Sequence, residues 1–320
     1  MYRLLLALAL AVPLTAADWL SASADPRLTR NQPAEKELSA STVQNLKLLW
    51  KYSFTERLTA PVVLGPIFTH RGIKELVFIA GADDNLYALD ADLGRLFWSR
   101  HFDTPKSDCK TGLTAAPVLA PYNGPAPEGD DASTPRRSLF VLTSDGQLRT
   151  VRPADAKDLS LSKSFLPPGS QASELRLAGN RISTYVAGGC LHPGLGEWTL
   201  RVTMDDAGRE GSRTIPAPKA ALWQDYRITT KPGGALVITR MNIESVVPLT
   251  ASVPPVTANG LVFTVSGTEL LGFDIASGKQ LFKSAPNGTE PSQDSLAIAN
   301  GHIYFVAGTT LYCYGFPIEI

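Results

Sequence analysis

Glu75-Leu-Val-Phe-Ile-Ala-Gly-Ala-Asp-Asp-Asn-Leu-Tyr-Ala-Leu-Asp-Ala-Asp-Leu-Gly-Arg-Leu-Phe-Trp98 holds three short strands separated by turns. The same order returns in Gly260-Leu-Val-Phe-Thr-Val-Ser-Gly-Thr-Glu-Leu-Leu-Gly-Phe-Asp-Ile-Ala-Ser-Gly-Lys-Gln-Leu-Phe282. In each copy an apolar strand runs into a glycine turn, and a second strand ends at Asp90 or Asp274. A glycine follows at Gly94 or Gly278, and then an aromatic at Trp98 or Phe282. A unit this small cannot cover both of its faces by itself, so repeated units must pack against one another. The pattern predicts an all-β fold of small four-stranded antiparallel sheets arranged radially, a β-propeller.

The repeat resembles the pyrroloquinoline-quinone (PQQ) enzyme repeat of the quinoprotein alcohol dehydrogenase-like propellers. That unit reads as a strand, a Gly-Asp-Gly turn, Leu-Tyr-Ala-Leu-Asp, a two-residue spacer, Thr-Gly and a strand closing on Trp. The copy at residues 75–98 departs from it at Leu93, which stands in place of Thr. Ser138 to Val151 keeps the turn as Ser144-Asp145-Gly146 but has Arg152 where the aspartate belongs, and His302 to Tyr314 stops before any Asp-x-x-x-Gly. An inner-strand signature recurs as Thr59-Ala-Pro-Val62, Thr114-Ala-Ala-Pro-Val118 and Val253-Pro-Pro-Val256, while residues 160–250 are degenerate. Asp90, Gly94, Trp98, Asp274, Gly278 and Phe282 are expected to shape the repeat, with Trp98 and Phe282 packed between neighbouring blades.

Thirty Lys and Arg balance thirty Asp and Glu in the 320 residues, with no basic run. Nucleic-acid binding is therefore not expected. Arg3 precedes the apolar run Leu4 to Val12, and Pro13-Leu-Thr-Ala-Ala17 supplies small residues before Asp18. This is the layout of a secretory signal peptide over residues 1–17, too short for a bilayer span and without a lipoprotein cysteine. A periplasmic or secreted protein follows, with no other membrane segment and a monomer expected.

Asp18-Trp19 and Asp25-Pro-Arg-Leu-Thr29 resemble the leader of exported PQQ-repeat proteins, which assigns residues 18–44 to a leader and 45–320 to one propeller domain. Val43 to Phe54 reads as an outer strand without a blade, and Leu296 to Phe316 as a blade without its outer strand. An open ring would leave exposed edges, so the N-terminal strand is expected to complete the last blade. At about 40–45 residues per blade the ring holds six or seven blades, with eight allowed.

Three cysteines leave at least one unpaired. Cys313 sits in the alternation Leu311-Tyr-Cys-Tyr314 and reads as a buried strand residue. The segments carrying Cys109 and Cys190 resemble paired loops in a subset of bacterial PQQ-repeat proteins, and that resemblance implies a disulfide between them; two free buried thiols are the alternative.

No catalytic set is legible. PQQ dehydrogenases, to which the resemblance points, use a catalytic Asp, a calcium ion held by acidic and amide oxygens, an aromatic floor and often an adjacent cysteine pair. The chain has no adjacent Cys pair and no Cys-x-x-Cys-His haem site. His70, His101, His192 and His302 show no metal-ligand spacing. Asp83-Asp84-Asn85 could form a calcium turn, but a polar hairpin tip explains it equally. No catalytic residue and no metal ligand is assigned, and no cofactor is expected, although PQQ with Ca²⁺ stays open. The expectation is a non-catalytic binding or scaffold protein holding a protein or small ligand on one propeller face; the alternative is a reduced PQQ-dependent dehydrogenase acting on an alcohol or sugar. The loops Tyr122 to Arg137 and around residue 190 are the expected contact face. One relative of this class is the propeller subunit of the outer-membrane β-barrel assembly machinery, which is normally lipid-anchored.

Overall fold

The computed structural model describes residues 17–105, 115–122, 136–189, 196–201, 209–212, 220–285, 287–288 and 291–317. Among them the chain is all β apart from one 3₁₀ turn at Val43–Asn45. Six sheets succeed one another, each a meander of neighbouring antiparallel strands. Blade one is Val62–Thr69, Gly72–Ala80, Asn85–Asp90 and Leu96–His101; blade two is Val118–Pro121, Arg137–Leu142, Gln147–Val151 and Asp158–Ser164. Blade three has a first strand broken into Ser170–Ala172 and Arg176–Ala178, followed by Arg181–Gly189, Gly196–Arg201 and Arg209–Ser212. Blade four is Ala221–Trp223, Tyr226–Thr230, Leu236–Arg240 and Ile243–Val247, and blade five is Val256–Ala258, Leu261–Ser266, Glu269–Asp274 and Gln280–Lys283. Blade six draws Pro291–Ala299, His302–Ala307 and Thr310–Gly315 from the end of the chain and its fourth strand, Lys47–Ser53, from the beginning.

The first strands of the blades neighbour one another around the axis. Val62–Thr69 lies beside Val118–Pro121 on one side and Pro291–Ala299 on the other, and Val256–Ala258 lies between Ala221–Trp223 and Pro291–Ala299. The apolar side chains of facing sheets interleave in these gaps. Val62, Phe78 and Leu86 of blade one pack with Leu119, Leu139 and Val151 of blade two, and Ile228 and Ile238 of blade four pack with Val262 and Phe273 of blade five. Burial of these strand faces is the main favourable term for a fold whose individual sheets have no independent core.

The turn after the third strand explains the Asp-x-x-x-Gly spacing. Asp90 Oδ1 accepts the Asp92 and Leu93 amides at 3.1 Å each, and the Gly94 amide returns to the Asp90 carbonyl at 2.9 Å. In blade five, Asp274 Oδ1 takes the Ser277 amide at 2.8 Å and Gly278 closes on the Asp274 carbonyl at 2.8 Å. The glycines close the turn with φ of +63° and +69°, a conformation that costs an L side chain about 1–2 kcal/mol. Blade two builds the same turn from other residues. Ala156 closes on the Arg152 carbonyl at 2.8 Å with φ +60°, and Asp155 supplies the carboxylate, clasped by the Arg152 guanidinium. A Cβ on Gly94 would come within 2.4 Å of the Trp50 ring. Gly94→Ala should therefore cost more than about 2 kcal/mol, left-handed strain adding to a displaced indole. Ala156→Gly should instead gain up to about 1 kcal/mol. Denaturation midpoints moving in opposite directions would check the pair; equal shifts would break the equivalence of the two turns.

Candidate functional site: the plugged axis and the cleft beside the closing blade

Residues 17–32 enter the ring along its axis, fold back and leave at the same end. Trp19 exchanges two backbone hydrogen bonds with Val63 of blade one, at 3.0 and 2.8 Å, running antiparallel to it. The Leu20 carbonyl accepts the Leu119 amide of blade two, and Ser23 Oγ donates to Glu174 of blade three at 2.6 Å. On the return leg the Thr29 carbonyl accepts the Leu222 amide of blade four. Asn31–Gln32 then lies parallel to Val256–Ala258 of blade five. Gln32 Nε2 reaches the Ile298 carbonyl of blade six at 3.2 Å and the Ala17 and Asp18 carbonyls at 3.0 and 2.8 Å, fastening the two legs together. One short segment thus bonds to all six blades.

Its bend is set by Asp25, which accepts the Arg27 amide at 2.7 Å and the Thr29 hydroxyl, the reason for the Asp-Pro-x-x-Thr spacing. Pro26 and Arg27 are exposed at the tip, whereas Trp19, Ser23 and Arg30 are essentially without solvent contact. The Arg30 guanidinium spans three parts of the ring. Nε meets the Pro255 carbonyl at 2.9 Å, Nη2 the Pro254 carbonyl at 3.3 Å and Nη1 Ser23 Oγ at 3.4 Å. Burial pulls its pKa down to about 10 while Glu174 pulls it back up, so it stays charged at neutral pH.

Where the plug enters and leaves, polar groups gather. Ala17 N donates to Asn300 Oδ1 at 2.7 Å, Asp18 Oδ1 accepts the Gly65 amide at 3.1 Å, and Glu35 Oε2 accepts the Gly301 amide at 2.9 Å. Burial pushes the pKa of Glu75 up to about 7, the negative charges of Asp92, Asp18 and Glu35 add to the rise, and Asn300 opposes it. His302 at the same end is lowered by burial.

A second concavity lies between blades five and six. A cleft of about 320 Å³ is walled by Lys47, Lys51, Phe282, Lys283, Tyr312 and Tyr314, with Asn287 taking the Tyr314 hydroxyl at 2.8 Å. Lys47 and Lys51 are exposed, and Lys283 pairs with Glu269 at 2.8 Å. The cleft thus presents ammonium groups beside aromatic faces, a lining suited to an anionic group with an apolar neighbour.

The residues selected from the sequence divide between these features. Trp98 is partly buried against Phe78 and donates Nε1 to the Pro153 carbonyl of blade two at 2.9 Å; Trp50 makes the equivalent bond to the Ala91 carbonyl of blade one at 2.8 Å. Phe282 is buried at the cleft wall against Tyr314. Asp84 is buried and spent on blade two, accepting the Ser144 amide and hydroxyl and the Thr104 hydroxyl, while Asn85 donates to Glu56. His70 and His101 are exposed, on separate hairpins. Cys313 is a buried free thiol. Cys109, Cys190, His192, the expected signal segment up to Ala16 and most of both expected contact loops lie outside the described residues. Among the described residues no three His, Cys, Asp or Glu side chains are grouped to hold a metal ion, and no helix is long and apolar enough to cross a membrane. Sequence reading missed the plug, the Arg30 clamp and the lysine cleft; Trp19 and the Asp25 to Thr29 spacing were the available signals for the first two.

The chain is a β-propeller of six described sheets whose axis is filled by its own N-terminal segment. Comparison with known families and with curated proteins gives no match. Among solved structures it is similar to a computationally designed protein, at 10% identity and TM-score 0.45 over 82% of this chain and 97% of that one. It is also similar to the quinohemoprotein alcohol dehydrogenase from Comamonas testosteroni, at 13% identity and TM-score 0.42 over 91% of this chain and 46% of that one. A third is BamB from Moraxella catarrhalis, at 11% identity and TM-score 0.33 over 85% of this chain and the whole of that one.

Proposed function

We propose that this is an exported propeller of the PQQ-repeat type that acts by non-catalytic binding, as a scaffold for a partner rather than as an oxidoreductase. The observation that carries this reading is the plug: the axis, where a quinone would be expected in such a ring, is occupied by residues 17–32, which hydrogen-bond to every blade through backbone or side-chain groups. The side chains there do not fit PQQ with its calcium ion. Ser23, Arg30 and Gln32 are buried and hydrogen-bonded to the ring, Trp19 is packed in its core, and the described residues offer no grouped acidic donors for the metal. Binding surface remains at the rim, where the lysine and aromatic cleft beside the closing strand suits an acidic segment of a partner.

Titration of the purified protein with PQQ and Ca²⁺, followed by dye-linked oxidation of a panel of small alcohols and sugars, tests this. The expected result is no stoichiometric quinone binding and no turnover. Calcium-dependent binding of one PQQ per chain with dye reduction would replace the scaffold reading by the dehydrogenase one.

A further inference from the structure

The mouth of the channel has an unbalanced charge. Asp18, Glu35 and Asp92 each act on Glu75 there as like charges. The neighbouring cations are Arg137, 3.9 Å from Asp18, and Lys74, already 2.8 Å from Asp90. His302 is disfavoured as a cation by its burial. Glu75 Oε1 is buried and meets no hydrogen-bond donor among the described residues, although such an atom costs about 1–3 kcal/mol when left alone. Asn300 Oδ1 accepts the backbone N–H of Ala17 at 2.7 Å, and its side chain lies close enough to Glu75 to favour the carboxylate. As an internal residue, Ala17 brings one N–H and no charge to this place.

We infer that processing beside Ala17 completes the site: the new α-ammonium becomes the counter-charge of Glu75, held by Asn300, and fastens the plug into the mouth of the ring. The inference rests on the export reading above. In the step, a peptidase that recognises small residues after an apolar run adds water across the amide on one side of Ala17. The C–N bond breaks, the carboxyl leaves with the apolar segment, and the nitrogen retained on the chain is protonated. A cut before Ala17 leaves the ammonium on the nitrogen already bonded to Asn300. A cut after it leaves the ammonium on Asp18, about 3.8 Å further on between Cα positions. Ala17 is 4% exposed and its carbonyl is taken by Gln32, so cleavage must precede seating of the plug.

The two forms differ in sign. With only an amide at residue 17, Glu75 titrates near 7 in the fold against an ordinary value of 4.5. The folded state then binds the proton more tightly than the unfolded state, and stability falls as pH rises through that window. An ammonium beside the carboxylate lowers its pKa and removes the loss.

The test compares the exported, processed protein with a form carrying a few extra residues ahead of Ala17, each with and without Glu75→Gln, by thermal unfolding at pH 8. Glu75→Gln should lower the midpoint of the processed form by several degrees and raise that of the extended form. The processed α-amine should also carbamylate at least about tenfold more slowly than a peptide amine near neutral pH, as expected of an amine raised by one pKa unit. Midpoint shifts of the same sign in both forms, or ordinary amine reactivity, would overturn the inference while leaving export intact. An intact mass that retains residues 1–16 in the exported protein would overturn both.

Discussion

Replacing Arg30 by Ala should destabilise the protein by about 3–5 kcal/mol, the range seen when one partner of a buried ionic arrangement is removed. The variant strips the donors from the Pro254 and Pro255 carbonyls, and it takes the cation away from Ser23 and Glu174. Glu174 keeps Arg176 at 3.3 Å and the Ser23 hydroxyl, so its charge is not wholly abandoned and the loss belongs at the lower end. Arg30→Lys preserves the charge but cannot fork between two carbonyls, and should recover only part of the loss. Combining Arg30→Met with Glu174→Gln should be milder than the sum of the two, because both act on one network. Urea unfolding of Arg30→Ala, Arg30→Lys, Arg30→Met, Glu174→Gln and the Arg30→Met/Glu174→Gln combination reads all of this. A change below about 1 kcal/mol for Arg30→Ala would mean that the plug contributes little to the stability of the ring.

Removing the closing strand should have a larger effect still. Lys47–Ser53 pairs with Thr310–Gly315 from Lys47 opposite Gly315 to Ser53 opposite Thr310, and Trp50 ties it to blade one through the Ala91 carbonyl. Deleting residues 40–54 takes away that bond, the indole packed on Tyr304 and the cover over Cys313, which is buried beneath the strand pairing. The strand Thr310–Gly315 then presents a bare edge, a template for pairing with another chain. The expected outcome is a concentration-dependent rise in scattering and loss of the monomer peak in size-exclusion chromatography. A deletion that stays monomeric with unchanged thermal stability would show that blade six stands without its fourth strand.

Much of this architecture could be read from residues, and the part that could not has identifiable causes. The copies at 75–98 and 260–282 announce themselves because aspartate caps and left-handed glycines are irreplaceable as a pattern when both are present. Blade two hides the same turn, since Ala156 tolerates the left-handed conformation and the carboxylate has moved to Asp155. Blades three and four are degenerate because their short or interrupted strands leave little alternation to detect; Ala221–Trp223 has only three residues. The plug was illegible for another reason. Its residues are mostly small or polar, and it is held by inner-strand backbone groups of blades one, two, four and five together with Glu174 of blade three and the Ile298 carbonyl of blade six, so what fixes it is a property of the assembled ring rather than of the segment.

The path of residues 17–53 also sets a timetable. Ala17 bonds to Asn300 across 283 positions and Gln32 to Ile298 across 266, and Lys47–Ser53 awaits strands that begin at Pro291. Contacts of such sequence separation are slow to form, because the chain loses the entropy of closing a long loop before any bond rewards it. A segment made long before its partners is therefore among the last to find its place. Blades one to five can condense in order while both the stopper and the clasp stay unengaged, and ring closure becomes a single late event that joins the two ends of the chain at once.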